Sequence, residues 1–356
     1  MLPDGWREEA VRSGAVVPSQ PSARVKSAEH LLRLVLYRVS QDAPLRDTAA
    51  VMSEALGVVV SPYCVHTRMI AAGGYLAWLV AGLVADAGLG SPATFHGYEP
   101  ILVDATAFAG RCASGTDARI HAALRLSDLR VVEATAHGVS VGESFSRFQW
   151  HEGQLAIGDR GYSNAASIAW VVDHGADVLV RLNRGSTPLI DAASGKKIDV
   201  LEWVRAIAIG DVRERAVVVT GRVDRVARTI PMRLVATRLP EKEAEEARQR
   251  AREEDGAKVT AATLEMAAYV VLLTTTTIPA AECLELYRMR WQIELLFKRW
   301  KSLCHFDRLP NELADSILSW LNGKLLFALL VERLAAEATS ALSPGAVDAT
   351  VTVDAA

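Results

Sequence analysis

Cysteine, clustered histidine and excess charge are what this chain of 356 residues lacks, and each absence excludes something. The four cysteines, Cys64, Cys112, Cys283 and Cys304, are far apart and show no paired-ligand spacing, which argues against a disulfide framework or a structural zinc site. The eight histidines are scattered, with no HExxH or similar cluster. The formal net charge is −3, so there is no global basic signal, and any nucleic-acid contact must come from local patches. The longest apolar stretch, Tyr75 to Ala85, is shorter than the roughly 20 residues a bilayer span needs. The N-terminus mixes Trp6 with Asp4, Arg7, Glu8 and Glu9, unlike a secretory signal. A reduced, cytoplasmic protein is expected. A hydrophobic fraction of 50% is ample for a large core, and the length suggests two or three domains.

Pro18 and Pro21 with several Ser and Gly suggest that residues 1–27 form a flexible arm. Residues 28–90 read as an N-terminal helical DNA-binding domain. Leu31, Leu34, Val35 and Val39 form one helical stripe. Leu45 to Leu56 is a second helix with Gly57 as its C-cap. Ser61-Pro62 reads as an N-cap followed by an N1 proline, and a fourth helix covers Tyr75 to Ala87. Three short helices with a tight connection look helix-turn-helix-like, with His66, Thr67 and Arg68 on the candidate recognition helix. A plain helical bundle fits the same pattern.

The Gly- and Pro-rich stretch 88–100 marks a boundary, after which the period changes. Ile101 to Phe108, Ala118 to Ser127 and Leu129 to His137 read as strands, Leu155 to Asp159 as a fourth and Asp177 to Leu182 as a fifth. A short helix or loop fills Val139 to Trp150, and a helix capped by Ser163-Asn164 runs to about His174. That order, over residues 98–183, is the order of a ribonuclease-H-like α/β catalytic core. Residues 184–275 break the rhythm and read as a β-rich insertion, with a solvated charged helix at Glu241 to Asp255. Residues 276–338 hold a chemistry-bearing helix and a C-terminal one from Glu312 to Ala338. Residues 339–356 show no periodicity and are expected to be disordered.

The chemistry concentrates in three places. On a helix at about 100° per residue, Tyr287, Arg290, Glu294 and Lys301 fall on one face, and Met289, Ile293, Leu296 and Trp300 on the other. A solvated amphipathic stripe is the plain alternative. Asp104 sits in the apolar strand Ile101-Leu-Val-Asp-Ala-Thr, where an ionised carboxylate is costly unless paired or metal-bound. Asp159, in Ile157-Gly-Asp-Arg-Gly-Tyr162, stands at the carboxyl end of a strand, where site residues of open α/β sheets gather. Three carboxylates from two strands and a helix can hold two divalent cations, and a two-metal site stabilises both oxygens of an in-line phosphoryl displacement. Arg288, Arg290, Lys298, Arg299 and Lys301 surround the single acid Glu294, a local basic patch suited to phosphate. His121, on the strand after Asp104, is either a further group near the metals or a core histidine. Trp203 is a core tryptophan or a base-stacking wedge.

The motifs Leu102-Val-Asp104-Ala-Thr106, Gly158-Asp159-Arg-Gly161-Tyr162 and Tyr287-x2-Arg290-x3-Glu294-x6-Lys301 resemble those of DDE transposases of the insertion sequence 4 family, over about residues 28–335. The resemblance implies that Asp104, Asp159 and Glu294 are the catalytic metal ligands. It implies two Mg2+ ions (Mn2+ able to substitute), with Tyr287, Arg290, Lys298, Arg299 and Lys301 contacting DNA. The implied activity is phosphodiester hydrolysis and strand transfer at transposon ends, on terminal inverted repeats and target DNA, by a homodimer without membrane attachment. The family is similar in carrying a β-rich insertion between Asp159 and Glu294. Relatives commonly continue well beyond a helix like 312–338, so a C-terminal segment is expected to be missing. A truncated, non-transposing DNA-binding copy that inhibits transposition is the alternative, and a ribonuclease-H-like nuclease that cuts without joining is a third.

Overall fold

The structure is a computed structural model and describes residues 2–19, 23–87, 93–109, 118–138, 140–223, 225–310 and 314–342. Residues 88–92 and 343–356 lie outside the described residues, whereas 339–342, expected to belong to a disordered tail, end the helix that starts at Ala314, because that helix runs one turn further than the apolar periodicity suggests.

Five helices open the chain: α1 (Trp6–Arg12), α2 (Ala28–Ser40), α3 (Leu45–Leu56), α4 (Pro62–Ala71) and α5 (Gly73–Ala87). Their ends follow the chemistry of the sequence. Ser27 accepts from the His30 N–H, Ser61 accepts from the Cys64 N–H with Pro62 in the first turn, and Gly57 closes α3 at φ 64°. The segment before α2 is more ordered than its composition suggests. It contains α1 and buries Ala10, Ala15, Val16 and Val25 against the helical core. Apolar side chains between the prolines and glycines outweigh the loop-forming residues there.

The strands β1 (Glu99–Phe108), β2 (Ala118–Arg125), β3 (Arg130–Gly138) and β4 (Gln154–Gly158) are followed by α6 (Ala165–Asp173) and β5 (Asp177–Arg181). The insertion supplies β6 (Ile190–Asp191), α7 (Val200–Arg205), β7 (Val212–Val223), β8 (Val226–Arg238), α8 (Glu241–Asp255), α9 (Ala261–Met266) and β9 (Tyr269–Thr274). All the strands join one nine-stranded sheet in the order β3-β2-β1-β4-β5-β9-β8-β7-β6. β2 is antiparallel to β1 and β3, while β4 and β5 run parallel to β1. This is a mixed α/β architecture consistent with a ribonuclease-H-like core. The insertion continues that sheet, because β9 pairs antiparallel with β5 through Val180 and Leu273. Within the insertion, β7 and β8 form a hairpin whose innermost pair is Val223 and Val226.

The helices α10 (Ala280–Arg288), α11 (Trp291–Leu303) and α12 (Ala314–Leu342) complete the chain. The single helix expected over Tyr287–Lys301 is two helices. Met289 and Arg290 bond to Leu286 and Tyr287, and Gln292 and Ile293 to Met289 and Arg290, all three residues back. These tight bonds break the α-helical course between α10 and α11. Met289 is consequently 43% exposed, whereas Ile293, Leu296 and Trp300 are buried as expected.

Strand alternation divides the core in two. Leu102, Ile120, Leu124, Ile157 and Leu179 pack against α2, α5, α11 and α12. Val103, Ala123, Ala156, Val178 and Val180 face Phe145, Trp150, Tyr162 and Ile168. Lys324, fully buried in α12, bonds to Asp42 and, at 2.8 Å, to the Cys304 carbonyl, tying the α2–α3 turn to the end of α11. Among the described residues, no single helix is long and apolar enough to cross a membrane.

Candidate active site

β1 carries Asp104 in the middle of the sheet, paired in register with Ala122 and so on the face covered by α11. Its Oδ1 accepts from the Ala105 N–H at 2.8 Å. Its Oδ2 stands 3.4 Å from Arg290 Nη1. The other terminal nitrogen of Arg290 donates to Glu294 Oε1. One guanidinium, set in the turn between α10 and α11, therefore lies between a strand carboxylate and a helix carboxylate. Burial, then the charge of Asp159, pushes the Asp104 carboxyl up to about 7, with Glu143 adding to the effect and Arg290 opposing it.

Asp159 follows the last residue of β4. The strand can end there only with a glycine at 158, since a Cβ would meet Phe145 Cζ and Tyr162 Cβ, each at 2.9 Å. Asp159 Oδ1 accepts from the Gly161 N–H at 2.8 Å, which starts a 3-10 turn over Arg160–Tyr162. That turn drives Tyr162 into the core with its hydroxyl buried and unpartnered among the described residues. Burial raises the Tyr162 phenol well above its ordinary value, and the charges of Asp104, Glu143 and Asp159 add to the shift.

A cationic side adjoins the carboxylates. The Arg290 guanidinium carbon lies 5.9 Å from the Tyr287 ring centre. Burial pushes the Tyr287 phenol up. Arg181, at the end of β5, is pushed down to about 10 by burial and by the neighbouring charge of Arg160, with Arg290 acting in the same direction. Among the described residues no carboxylate pairs with Arg181. Lys301 lies over the Phe108 ring at 5.6 Å. Lys298, stacked 4.3 Å over Trp291, and Arg299 line a groove of about 330 Å³ with Leu129 and Leu295, and none of the three carboxylates lines it.

His121 pairs with Ala105 and so points to the face opposite Asp104. It is fully buried against His137, with ring centres 5.5 Å apart, and neither ring nitrogen has a partner among the described residues. It is therefore a buried core histidine on the sheet face away from Asp104. Trp203 is half-buried on α7 and lines a separate groove of about 460 Å³ with Lys196, Lys197 and Arg213, toward the β6 edge. Glu143 and Arg181 escaped the sequence reading. Glu143 sits in an irregular segment without period, and Arg181 reads there as an ordinary strand end.

Among the described residues no three Asp, Glu, His or Cys side chains stand close enough, as placed, to share an ion. The donor set nevertheless suits a hard divalent cation. Its members are carboxylate oxygens, burial and the charge of Asp159 disfavour the ionised form of Asp104 although Arg290 opposes them, and the buried Tyr162 hydroxyl, in the field of Asp104, Glu143 and Asp159, lacks a partner among the described residues. Arg290 occupies the position of a cation between Asp104 and Glu294.

A mixed α/β sheet of this order, carrying acidic residues on β1, after β4 and on α11, is consistent with a ribonuclease-H-like core bearing an acidic site. The transposase DDE domain family matches residues 120–329, more than half of the chain, and the chain belongs to that family. Asp159 and Glu294 fall within the match, and Asp104 precedes it. The chain is 30% identical to the transposase for insertion sequence element IS421 of Escherichia coli over 240 residues, 65% of this chain and 64% of that protein. It is 26% identical over 142 residues to the transposase for IS1151 of Clostridium perfringens, 38% of this chain and 29% of that protein. A third match, 39% identical over 62 residues, is the transposase for IS231F of Bacillus thuringiensis subsp. israelensis, 17% of this chain and 13% of that protein. The placement with insertion sequence 4 family transposases agrees with these matches. The chain spans 64% of the length of its E. coli relative.

Proposed function

We propose that this chain is a DNA transposase that performs metal-dependent phosphodiester hydrolysis and strand transfer at the ends of an insertion sequence. The observation that carries this reading is the meeting of Asp104 and Glu294 on the Arg290 guanidinium, with Asp159 within charge reach of Asp104. Asp104, Asp159 and Glu294 would hold the metal. Two Mg2+ ions, with Mn2+ as substitute, supply charge stabilisation for the attacking and leaving oxygens when bound. Arg290, Tyr287 and Arg181 hold the phosphate: a fork of donors, a phenol and a cation without a carboxylate partner among the described residues. Lys301, Lys298 and Arg299 carry the flanking backbone along α11. Arg290 must leave its bridging position for Glu294 to approach the two aspartates, so its release on phosphate binding couples DNA engagement to site assembly.

Residues 28–90 serve as the DNA-binding domain in this proposal, with α4 presenting His66 and Thr67. Arg68 is partly engaged by the Ala15 carbonyl at 3.4 Å. Residues 98–183 and 276–338 form the catalytic core and 184–275 its insertion. The active complex is a homodimer on paired ends, working in the cytoplasm where the DNA lies.

The test is a cleavage and joining assay on duplexes carrying the element's terminal inverted repeats, with Mg2+. Wild-type protein nicks the ends and joins a precut end to target DNA. Asp104→Asn, Asp159→Asn and Glu294→Gln each retain end binding and lose nicking. Near-normal nicking by any one of them removes that residue from the ligand set. Wild-type binding without nicking identifies a non-transposing, inhibitory copy, and cutting without joining identifies a nuclease.

A further inference from the structure

The turn between α2 and α3 faces the segment after α11 across a cavity of about 560 Å³. Three guanidinium groups line it, each from a different element: Arg38 near the end of α2, Arg46 in the first turn of α3 and Arg308 after α11. Pro44, Leu45 and Pro310 give it accessible apolar walls, and Asp42 is the one acid among its lining residues.

Arg38 is 5% exposed and fixed in place. Its Nη1 donates to the Ala43 carbonyl at 2.7 Å, and its guanidinium carbon lies 5.0 Å from the centre of the Trp320 ring. Trp320 is held in turn by its indole N–H, which donates to the Arg308 carbonyl at 3.1 Å. Asp42 cannot neutralise all three arginines. Its Oδ1 accepts from the buried Lys324 ammonium, and Arg308 Nη1 stands 3.5 Å from its Oδ2, longer than an ordinary N–H···O bond. Arg46 is exposed and makes no side-chain hydrogen bond or ion pair among the described residues. Arg38, Arg46, Arg308 and Lys324 thus meet a single carboxylate, and the excess positive charge favours an anion. The N-terminus of α3 borders the same cavity, and Pro44 at its N-cap offers no side-chain acceptor.

We propose that this cavity takes a backbone phosphate of the transposon end, gripped by Arg46 and Arg308 and backed by Arg38. A phosphodiester suits it better than a lone inorganic anion, because the apolar walls give the adjoining sugars a surface to rest on. Asp104, Asp159 and Glu294 do not line the cavity, so this phosphate is bound apart from the scissile one. It joins α2 and α3 to the segment after α11, and so fixes the N-terminal helices against the helix that carries Glu294. The proposal rests on the transposase reading and adds a place, other than α4, where residues 28–90 hold DNA.

The experiment is fluorescence anisotropy of the full chain on a terminal-repeat duplex across a salt series without divalent metal. Arg46→Gln and Arg308→Gln should each weaken binding about three- to tenfold and lower the slope of log K against log salt by about one. Arg46→Lys and Arg308→Lys keep the charge and recover the slope. A set of duplexes, each with one neutral methylphosphonate, locates the contact. At one position the substitution should weaken wild type and leave the Arg46→Gln, Arg308→Gln double variant unaffected, the mark of a shared interaction. Both arginines are exposed, so circular dichroism melting should show every variant folded.

Wild-type affinity and slope in both single variants overturn the phosphate site, and the transposase reading stands if wild type still nicks the ends. A methylphosphonate map that is the same for wild type and the double variant also overturns it. Stabilisation of DNA-free wild type by inorganic phosphate, lost in a double variant whose DNA affinity is normal, assigns the cavity to a small anion and overturns it too. A wild type that neither binds nor nicks the ends removes both readings.

Discussion

Arg290 Nη1 stands 3.4 Å from Asp104 Oδ2 although 186 positions separate the two residues in the chain. The contact depends on the tight turn between α10 and α11, which aims the guanidinium down at the sheet while Glu294 follows one turn later. A planar fork can hold both carboxylates at once, and a single ammonium cannot. Arg290→Lys should therefore lower single-turnover end cleavage by roughly ten- to a hundredfold while the fold persists. Quench-flow cleavage of a saturating end duplex measures this. A wild-type rate in Arg290→Lys would show that the bridge is incidental.

Arg181 presents the opposite balance. Burial and the charge of Arg160 push it down to about 10, and no carboxylate among the described residues relieves it. Such a cation weakens the DNA-free fold and is compensated when an anion arrives. Arg181→Leu is expected to raise the stability of the free protein by about 1 kcal/mol. The same substitution should weaken end binding and reduce the slope of log K against log salt by about one. Urea denaturation and fluorescence anisotropy across a salt series give the two numbers. A variant that is destabilised and binds DNA normally would mean that Arg181 is simply a packing residue.

The turn after β4 rests on a glycine that tolerates no side chain. A Cβ at Gly158 would stand 2.9 Å from both Phe145 Cζ and Tyr162 Cβ. Both neighbours are fully buried, so neither ring can swing into solvent. Gly158→Ala should cost about 1–3 kcal/mol, the usual range for overpacking a filled core. It should also displace Asp159, which follows directly. Denaturant midpoints of wild type and variant decide the matter, and equal midpoints would show that Phe145 has room to retreat.

Much of this arrangement was legible before the fold was seen. The apolar runs Ile101–Val103 and Leu155–Ile157 mark buried strands, and an acid at the end of such a run can only be a cap, a pair or a ligand. Ser27, Gly57, Ser61 and Asn164 announce helix ends by local chemistry alone. The break at Met289–Arg290 was not legible, because Tyr-Arg-Met-Arg-Trp contains no glycine or proline to interrupt the helical period. The side of the sheet taken by His121 was not legible either. It depends on pairing register, and one residue of slip reverses every side chain of a strand. Glu143 and Arg181 become visible only when the crossing order of β1, β4 and β5 is known, since their partners lie in other elements. The closeness of Glu143 to Asp159 is a property of the turn at Gly161, which no periodicity encodes.

His121 carries the last prediction. It is fully buried, and burial together with His137, Arg119 and Arg147 lowers its pKa from 6.5 to about 4. His137 is shifted in the same direction by burial and by Arg147. The unfolded chain therefore takes up a proton on His121 near pH 6.5, whereas the folded chain does so only near pH 4. Between these values the unfolded state holds more protons, so stability present above pH 6.5 is lost as the pH falls toward 4. For His121 alone the loss is about 2 kcal/mol at pH 5. His121→Leu keeps an apolar side chain in the space and has nothing to protonate. Urea denaturation at pH 7 and pH 5 should show wild type losing more stability than this variant by about that amount. The same acid sensitivity in both proteins would place the titrating group elsewhere and leave His121 protonated as easily as an exposed histidine.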